Sequence, residues 1–109
     1  MNNLYNETIA VMKNKGYTSS DVDYCSVIID GHEKEVQFDF DTFKENSNFE
    51  YNDNTGDIEI NLSLRIVFND GTWLERDSDE GFEWWRHVVS PKKSSSKFYR
   101  GFIDFRNPW

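Results

Sequence analysis

Cysteine and proline are nearly absent: one cysteine, Cys25, and two prolines occur in 109 residues. A lone thiol cannot close an internal disulfide, so the chain is expected in a reducing compartment, the cytoplasm, and not among secreted disulfide scaffolds. Long apolar runs are also missing. None approaches the ~18 residues of a membrane span, and the opening MNNLYNET lacks the charged-then-apolar pattern of a secretory leader. Phosphate-cradling GxGxxG and GxxxxGK[ST] loops and the GxSxG elbow do not occur. Positive charge is scarce too, with 12 Lys+Arg against 20 Asp+Glu and a net charge of -8. Such a balance repels DNA and anionic membranes, so direct binding to either is not expected.

What is present is rings and acids. Hydrophobic residues make up only 37% of the chain, yet aromatics reach 17%. A disordered acidic tail would be poor in aromatics, so residues 1–109 are expected to fold as a single domain around large rings. The acids are concentrated. From Gly16 to Leu64 twelve of them face only Lys34 and Lys44, whereas from Arg86 to Trp109 six bases face Asp104 alone. That basic quarter either packs on the acidic body or stays free to contact something else.

Hydrophobic spacing sets the expected elements. Asn2 or Asn3 can cap a helix over 3–15, in which Leu4, Tyr5, Thr8, Ile9, Val11 and Met12 recur at three- and four-residue intervals before Gly16 stops it. The period then becomes two. Cys25, Val27 and Ile29 share a face, as do Val36, Phe38 and Phe40. A two-residue Asp30-Gly31 turn predicts Val36 opposite Cys25 and Lys34 opposite Val27. Residues 42–56 read as a long polar loop. Ile58 to Phe68 alternate as one strand, Asp70-Gly71 turns the chain into Thr72–Arg76, and Asp77–Gly81 turns it again into Phe82–Val89. The β-meander core is therefore expected over 23–89. After Pro91 and a serine run, a basic aromatic arm over 92–109 ends the chain, with Phe98–Phe105 either a last strand or an exposed arm. The order of elements predicts an α+β fold, one N-terminal amphipathic helix packed on an antiparallel sheet of about five strands.

Chemistry-bearing constellations are few. Cys25 sits in an apolar strand without a basic neighbour and reads as a buried structural thiol. His32 and His87 lack ligand spacing with it, so no structural zinc is expected. Placing Gly56 or Gly81 at the sixth position of a calcium loop puts Tyr51 or Arg76 at the first, and both alignments fail. An irregular carboxylate site at Asp77, Asp79 and Glu80 stays open as an alternative. No catalytic residue, cofactor or metal is assigned, and the chain is not expected to be an enzyme.

The stretch Phe68-Asn69-Asp70-Gly71-Thr72-Trp73-Leu74-Glu75-Arg76, followed by Gly81-Phe82-Glu83-Trp84-Trp85 and Pro91, resembles a hairpin of small proteins encoded by phages and related mobile elements. Their pattern is roughly F-x-D-G-[ST]-W-[LF]-E-R, an acidic Asp-Gly turn, E-W-W and a proline. The resemblance implies a phage-borne accessory protein acting in a bacterial host cytoplasm, often against host defence. From the residues themselves, Trp84 and Trp85 must face opposite sides of the sheet. If one packs on the helix, the other faces outward unless the arm covers it, and bordered by Glu83 and Arg86 it has the composition of a binding hot spot.

Two functions follow as expectations. The first is an acidic inhibitor of a defence system, anti-CRISPR or anti-restriction in type, that binds a basic partner such as a CRISPR effector or a restriction nuclease. In it, a row of carboxylates on strand faces (Glu33, Glu35, Asp39, Asp41) mimics DNA phosphates, because same-face residues recur every ~6.6 to 7 Å. The candidate contact residues are these four with Asp77, Asp79, Glu80, Trp84, Trp85 and Arg86. The second is an interaction module, immunity-like or a phage assembly accessory, that uses its aromatic surface and self-associates, as a homodimer for example, through the arm or an open sheet edge.

Overall fold

The computed structural model describes residues 2–29, 34–52, 56–89 and 99–107. A short strand β1 (Asn2–Asn3) leads into helix α1 (Leu4–Asn14), capped by the Asn3 side chain, which accepts the Asn6 N–H at 3.0 Å. Leu4, Thr8 and Met12, spaced four apart, form its buried stripe. A 3-10 turn (Ser19–Asp21) then feeds β2 (Val22–Ile29) and β3 (Lys34–Phe38). Helix α2 (Phe40–Asn46) and the short β4 (Glu50–Tyr51) come next, and β5 (Arg65–Phe68), β6 (Trp73–Asp79) and β7 (Phe82–Val88) complete the chain's strands. The five long strands make one antiparallel sheet in the order β3-β2-β5-β6-β7, and β1 pairs with β4 apart from it. The expected α+β arrangement is the one found. The core lies between α1, α2 and one face of the sheet, filled by Leu4, Met12, Cys25, Phe38, Phe43, Ile66, Leu74, Trp85 and Phe105.

Four local expectations are corrected. In the β2–β3 hairpin Cys25 faces Phe38 and Val27 faces Val36, two residues away from the expected register. A shift of two keeps every side chain on its face. It also places Lys34 at the exposed end opposite Ile29 and not opposite buried Val27, where its ammonium would lose water. The Asp30-Gly31 turn itself lies outside the described residues.

Residues 42–56 are not a plain loop. Asp39 accepts the Thr42 N–H at 2.8 Å and starts α2, so Phe40 leaves the strand and buries with Phe43 at helical spacing.

Only the last four residues of the expected 58–68 strand, Arg65–Phe68, join the sheet. Upstream, the Glu83 carboxylate takes the backbone N–H groups of Glu59 and Ile60, at 2.8 and 3.0 Å. Asn61 donates to the Ile28 carbonyl at 2.8 Å, and the Ser63 hydroxyl accepts the Ile28 N–H at 2.7 Å. Side chains, together with backbone bonds from Asn61 to Phe105 and from Asn107 to Glu59, have therefore replaced the sheet ladder, and Leu62, expected inside, is 45% exposed.

The turn after β6 is only Glu80-Gly81, with φ of 50° and 86°, so Asp77 and Asp79 stay on the strand. Positive φ at both positions matches the twist of a tight hairpin. A Cβ on Gly81 would also stand 2.8 Å from the Gly56 Cα, so this glycine is required twice over.

The arm, over 99–107, is docked and makes only one isolated bridge, Arg106 with Ile60. Ile103 and Phe105 are buried, with Phe105 stacked near Phe38 and Phe43, while Phe102 is exposed.

Candidate protein-contact surface

Alternation along β5, β6 and β7 sorts side chains onto two faces. The inner face takes Ile66, Leu74, Arg76, Glu83 and Trp85 toward the helices. The outer face takes Arg65, Val67, Trp73, Glu75, Asp77, Asp79, Phe82, Trp84, Arg86 and Val88. Among the described residues no helix lies on that outer face; Tyr24, Val67 and Trp73 form a small second cluster there with Val88.

An ion ladder crosses the outer face. Arg86 Nη2 lies 2.5 Å and Arg65 Nη2 3.7 Å from the Glu75 carboxylate, and Arg86 Nη1 lies 3.5 Å from Asp77. Trp73 donates its indole N–H to Glu75 at 2.7 Å. Partial burial pushes the Glu75 carboxyl up, but the Trp73 and Arg86 hydrogen bonds and the nearby Arg65 charge outweigh it and hold the group below its ordinary range. The Arg65 guanidinium also sits 5.2 Å from the Trp73 ring centre. Beyond the ladder, toward the Glu80-Gly81 turn, Phe82 (51%) and Trp84 (37%) stand exposed.

The expected contact residues divide. Asp77, Asp79, Glu80, Trp84 and Arg86 gather around the β6–β7 hairpin. Glu35 is exposed on β3, at the far edge of the same sheet. Asp39 is occupied as the α2 cap, the Thr42 N–H holding its carboxyl below the usual range, and Asp41 lies on the first turn of that helix. The expected carboxylate row on a strand is therefore not formed, because the strand ends at Phe38. Glu33 and His32 lie outside the described residues.

Trp85 is corrected from contact residue to core residue. It is 6% exposed and donates its indole N–H to the Thr8 hydroxyl of α1 at 2.9 Å.

Sequence reasoning missed Phe82 and a buried charge network under α1. Arg76, its side chain fully buried, donates to Glu83 at 3.2 Å and to the Tyr51 hydroxyl at 3.0 Å, with Glu7 at 3.4 Å. The Trp85 and Tyr51 rings flank its guanidinium at 4.9 and 5.5 Å, and Tyr51 donates to Glu7 at 2.5 Å. Burial pushes the Tyr51 phenol up. The signal that would have found the network is the same alternation that separates Trp84 from Trp85: Glu83 shares the face of Trp85, so a buried tryptophan implies a buried glutamate needing a cation.

A third polar group, half-exposed, joins the helix exit to the β5–β6 turn. Tyr17 donates to Asp70 at 2.5 Å, and Thr72 bridges Asp70 at 2.7 Å and His87 at 2.9 Å. The Tyr17 hydroxyl holds the Asp70 carboxyl below its ordinary range. Cys25 is fully buried, and burial pushes its thiol well up, which suits a structural thiol and not a nucleophile. Among the described residues no group of three or more His, Cys, Asp or Glu side chains is placed to hold a metal, and no helix is long and apolar enough to cross a membrane.

No family model matches the chain, and neither a curated protein nor a solved structure matches it.

Proposed function

We propose that the chain is a small protein-binding inhibitor that docks on a basic protein surface through the outer face of the β6–β7 hairpin. The observation that carries this reading is the exposed Phe82–Trp84 pair beside Asp77, Asp79 and Glu80. An apolar centre inside a charged rim is the usual composition of an interface anchor. The acids favour a basic partner and speed its encounter. A nucleic-acid-binding protein of a bacterial defence system, a CRISPR effector or a restriction nuclease, has such a surface, and phage-type inhibition is the role to which the hairpin resemblance points. In this reading the rings carry the affinity, and an aligned row of DNA-like carboxylates is not needed.

Affinity capture from bacterial lysate at low and high salt tests it. A basic partner should remain partly bound at high salt with the wild-type chain and be lost from Trp84→Ala. Charge reversal at Glu35 and Asp41, which leaves the Asp39 cap in place, should leave most of the binding. The opposite pattern, binding that survives Trp84→Ala but fails on charge reversal, would restore the carboxylate mimic.

A further inference from the structure

We propose that Trp84 and the acids beside it form a socket for an arginine side chain supplied by the partner. The inference rests on the reading that this face binds a protein, and it names the group that is bound.

The chain builds the same arrangement twice for itself. Arg65 of β5 lies over Trp73 of β6 and reaches Glu75, two residues along that strand. Arg76 of β6 lies over Trp85 of β7 and reaches Glu83, two residues away on the same strand. In both, the ring offers its negative face and the carboxylate its charge to one guanidinium, a pairing that suits planar arginine better than lysine. The cation comes from the strand that precedes the tryptophan's own in the sheet order.

Trp84 is the third tryptophan of the described residues and differs from the other two in that its acids stand on the neighbouring strand β6, while Phe82 and Arg86 flank it on its own strand. Asp77 is its cross-strand neighbour on β6, and Asp79 follows on the same face. Asp77 is partly engaged by Arg86, but among the described residues Asp79 and Glu80 make no ion pair and no cation lies over the Trp84 ring. With its acids on β6, the strand order of the two built examples is reversed, and the remaining side of Trp84 is the side beyond β7, the edge of the sheet among the described residues. The chain's five arginines are all described and none lies over this ring, so the arginine that meets it comes from another molecule. Charge complementarity and the open ring therefore select a partner that presents an arginine next to an apolar residue able to meet Phe82.

The test uses nitrogen-15-labelled full-length protein titrated with acetyl-Gly-Arg-Gly-amide, and with the same peptide carrying lysine or citrulline. The arginine peptide should shift the Trp84 indole signal and the amides of 77–86, the lysine peptide should bind roughly three-fold more weakly, and citrulline should give no shift. The Trp85 indole, held by Thr8, serves as an internal reference that stays in place. Trp84→Ala should abolish the response and Asp79→Asn should weaken it, with the remaining spectrum unchanged. Equal response to arginine and lysine, shifts spread over the acids of 35–59, no shift at all, or an undiminished response in Trp84→Ala would overturn the socket. If the peptide fails while Trp84→Ala still loses its captured partner, the socket alone is wrong. If the peptide binds as expected while Trp84→Ala keeps that partner, the protein-binding reading of this face is wrong.

Discussion

Trp84 and Trp85 are adjacent in the chain and serve opposite faces of one sheet. On the inner face the ring of Trp85 is closed in by Thr8 and by a fully buried Arg76, whose charge is answered by Glu83, Tyr51 and Glu7. On the outer face the ring of Trp84 stands beside Asp77, which pairs with Arg86, and near Asp79, which makes no ion pair among the described residues. The same residue types are thus buried as scaffold on one side and left exposed on the other, where the proposed contact surface lies. Burial decides which: an ion pair taken out of water needs its partners to persist, as Arg76 has in Glu83, Tyr51 and Glu7 although its Nε donates to no described residue, whereas an exposed one contributes little to stability and stays available for exchange.

The largest effect should come from opening the inner network. Glu83→Ala leaves Arg76 without its closest anion and strips two backbone N–H groups of their acceptor, so a loss of about 3–5 kcal/mol is expected in urea unfolding. A loss under about 1 kcal/mol would mean that the network is not buried as described. Thr8→Val keeps the shape of the site but leaves the Trp85 indole N–H unpartnered in the core, for an expected cost of about 1–3 kcal/mol. Thr8→Ser, which retains the hydroxyl, should recover part of it.

Acid should act next. Asp39 is held low by the Thr42 N–H and Asp70 by the Tyr17 hydroxyl; for Glu75 burial works upward and is outweighed by Trp73, Arg86 and Arg65. Each is depressed in the folded state, so its contribution is present above the unfolded carboxyl value of ~4 and is lost as pH falls through the folded value. Melting temperature should be flat from about pH 5 to 7 and decline below about pH 4, with a shallower decline in Asp39→Asn. A melting temperature that holds steady to about pH 2.5 would contradict this. The smallest effect on stability, within about 0.5 kcal/mol, is expected for Trp84→Ala; a larger loss would place that ring in the core and erase the contrast between the faces.

Much of the fold was legible from spacing because apolar periodicity is a burial signal. Leu4, Thr8 and Met12 marked the helix, and the alternation through β6 and β7 gave the hairpin and the opposed tryptophans. Two of the failures share one physical cause, which is side chains taking backbone groups. Asp39 started a helix where alternation promised a strand, and Glu83, Asn61 and Ser63 drew Ile58–Leu64 out of the sheet. The cap is local, three residues long, and was overlooked because alternation through Phe40 favoured a strand; the bonds of Glu83, Asn61 and Ser63 reach partners 20 or more residues away, as with Glu83 and Ile60 at 23, so local pattern does not reveal them. The proposed contact surface was half legible. Its hairpin acids and Trp84 came from local pattern, while the dispersal of Asp39 and Asp41 needed the cap.

The most direct trial of the division between the faces is the plating efficiency of a phage targeted by a restriction or CRISPR system, in cells that express the chain. Wild-type protein should raise plating, and Trp84→Ala, matched to it in abundance and melting temperature, should lose at least about 30-fold of that protection, the loss of a ring worth roughly 2 kcal/mol. Full protection by that variant would contradict the account.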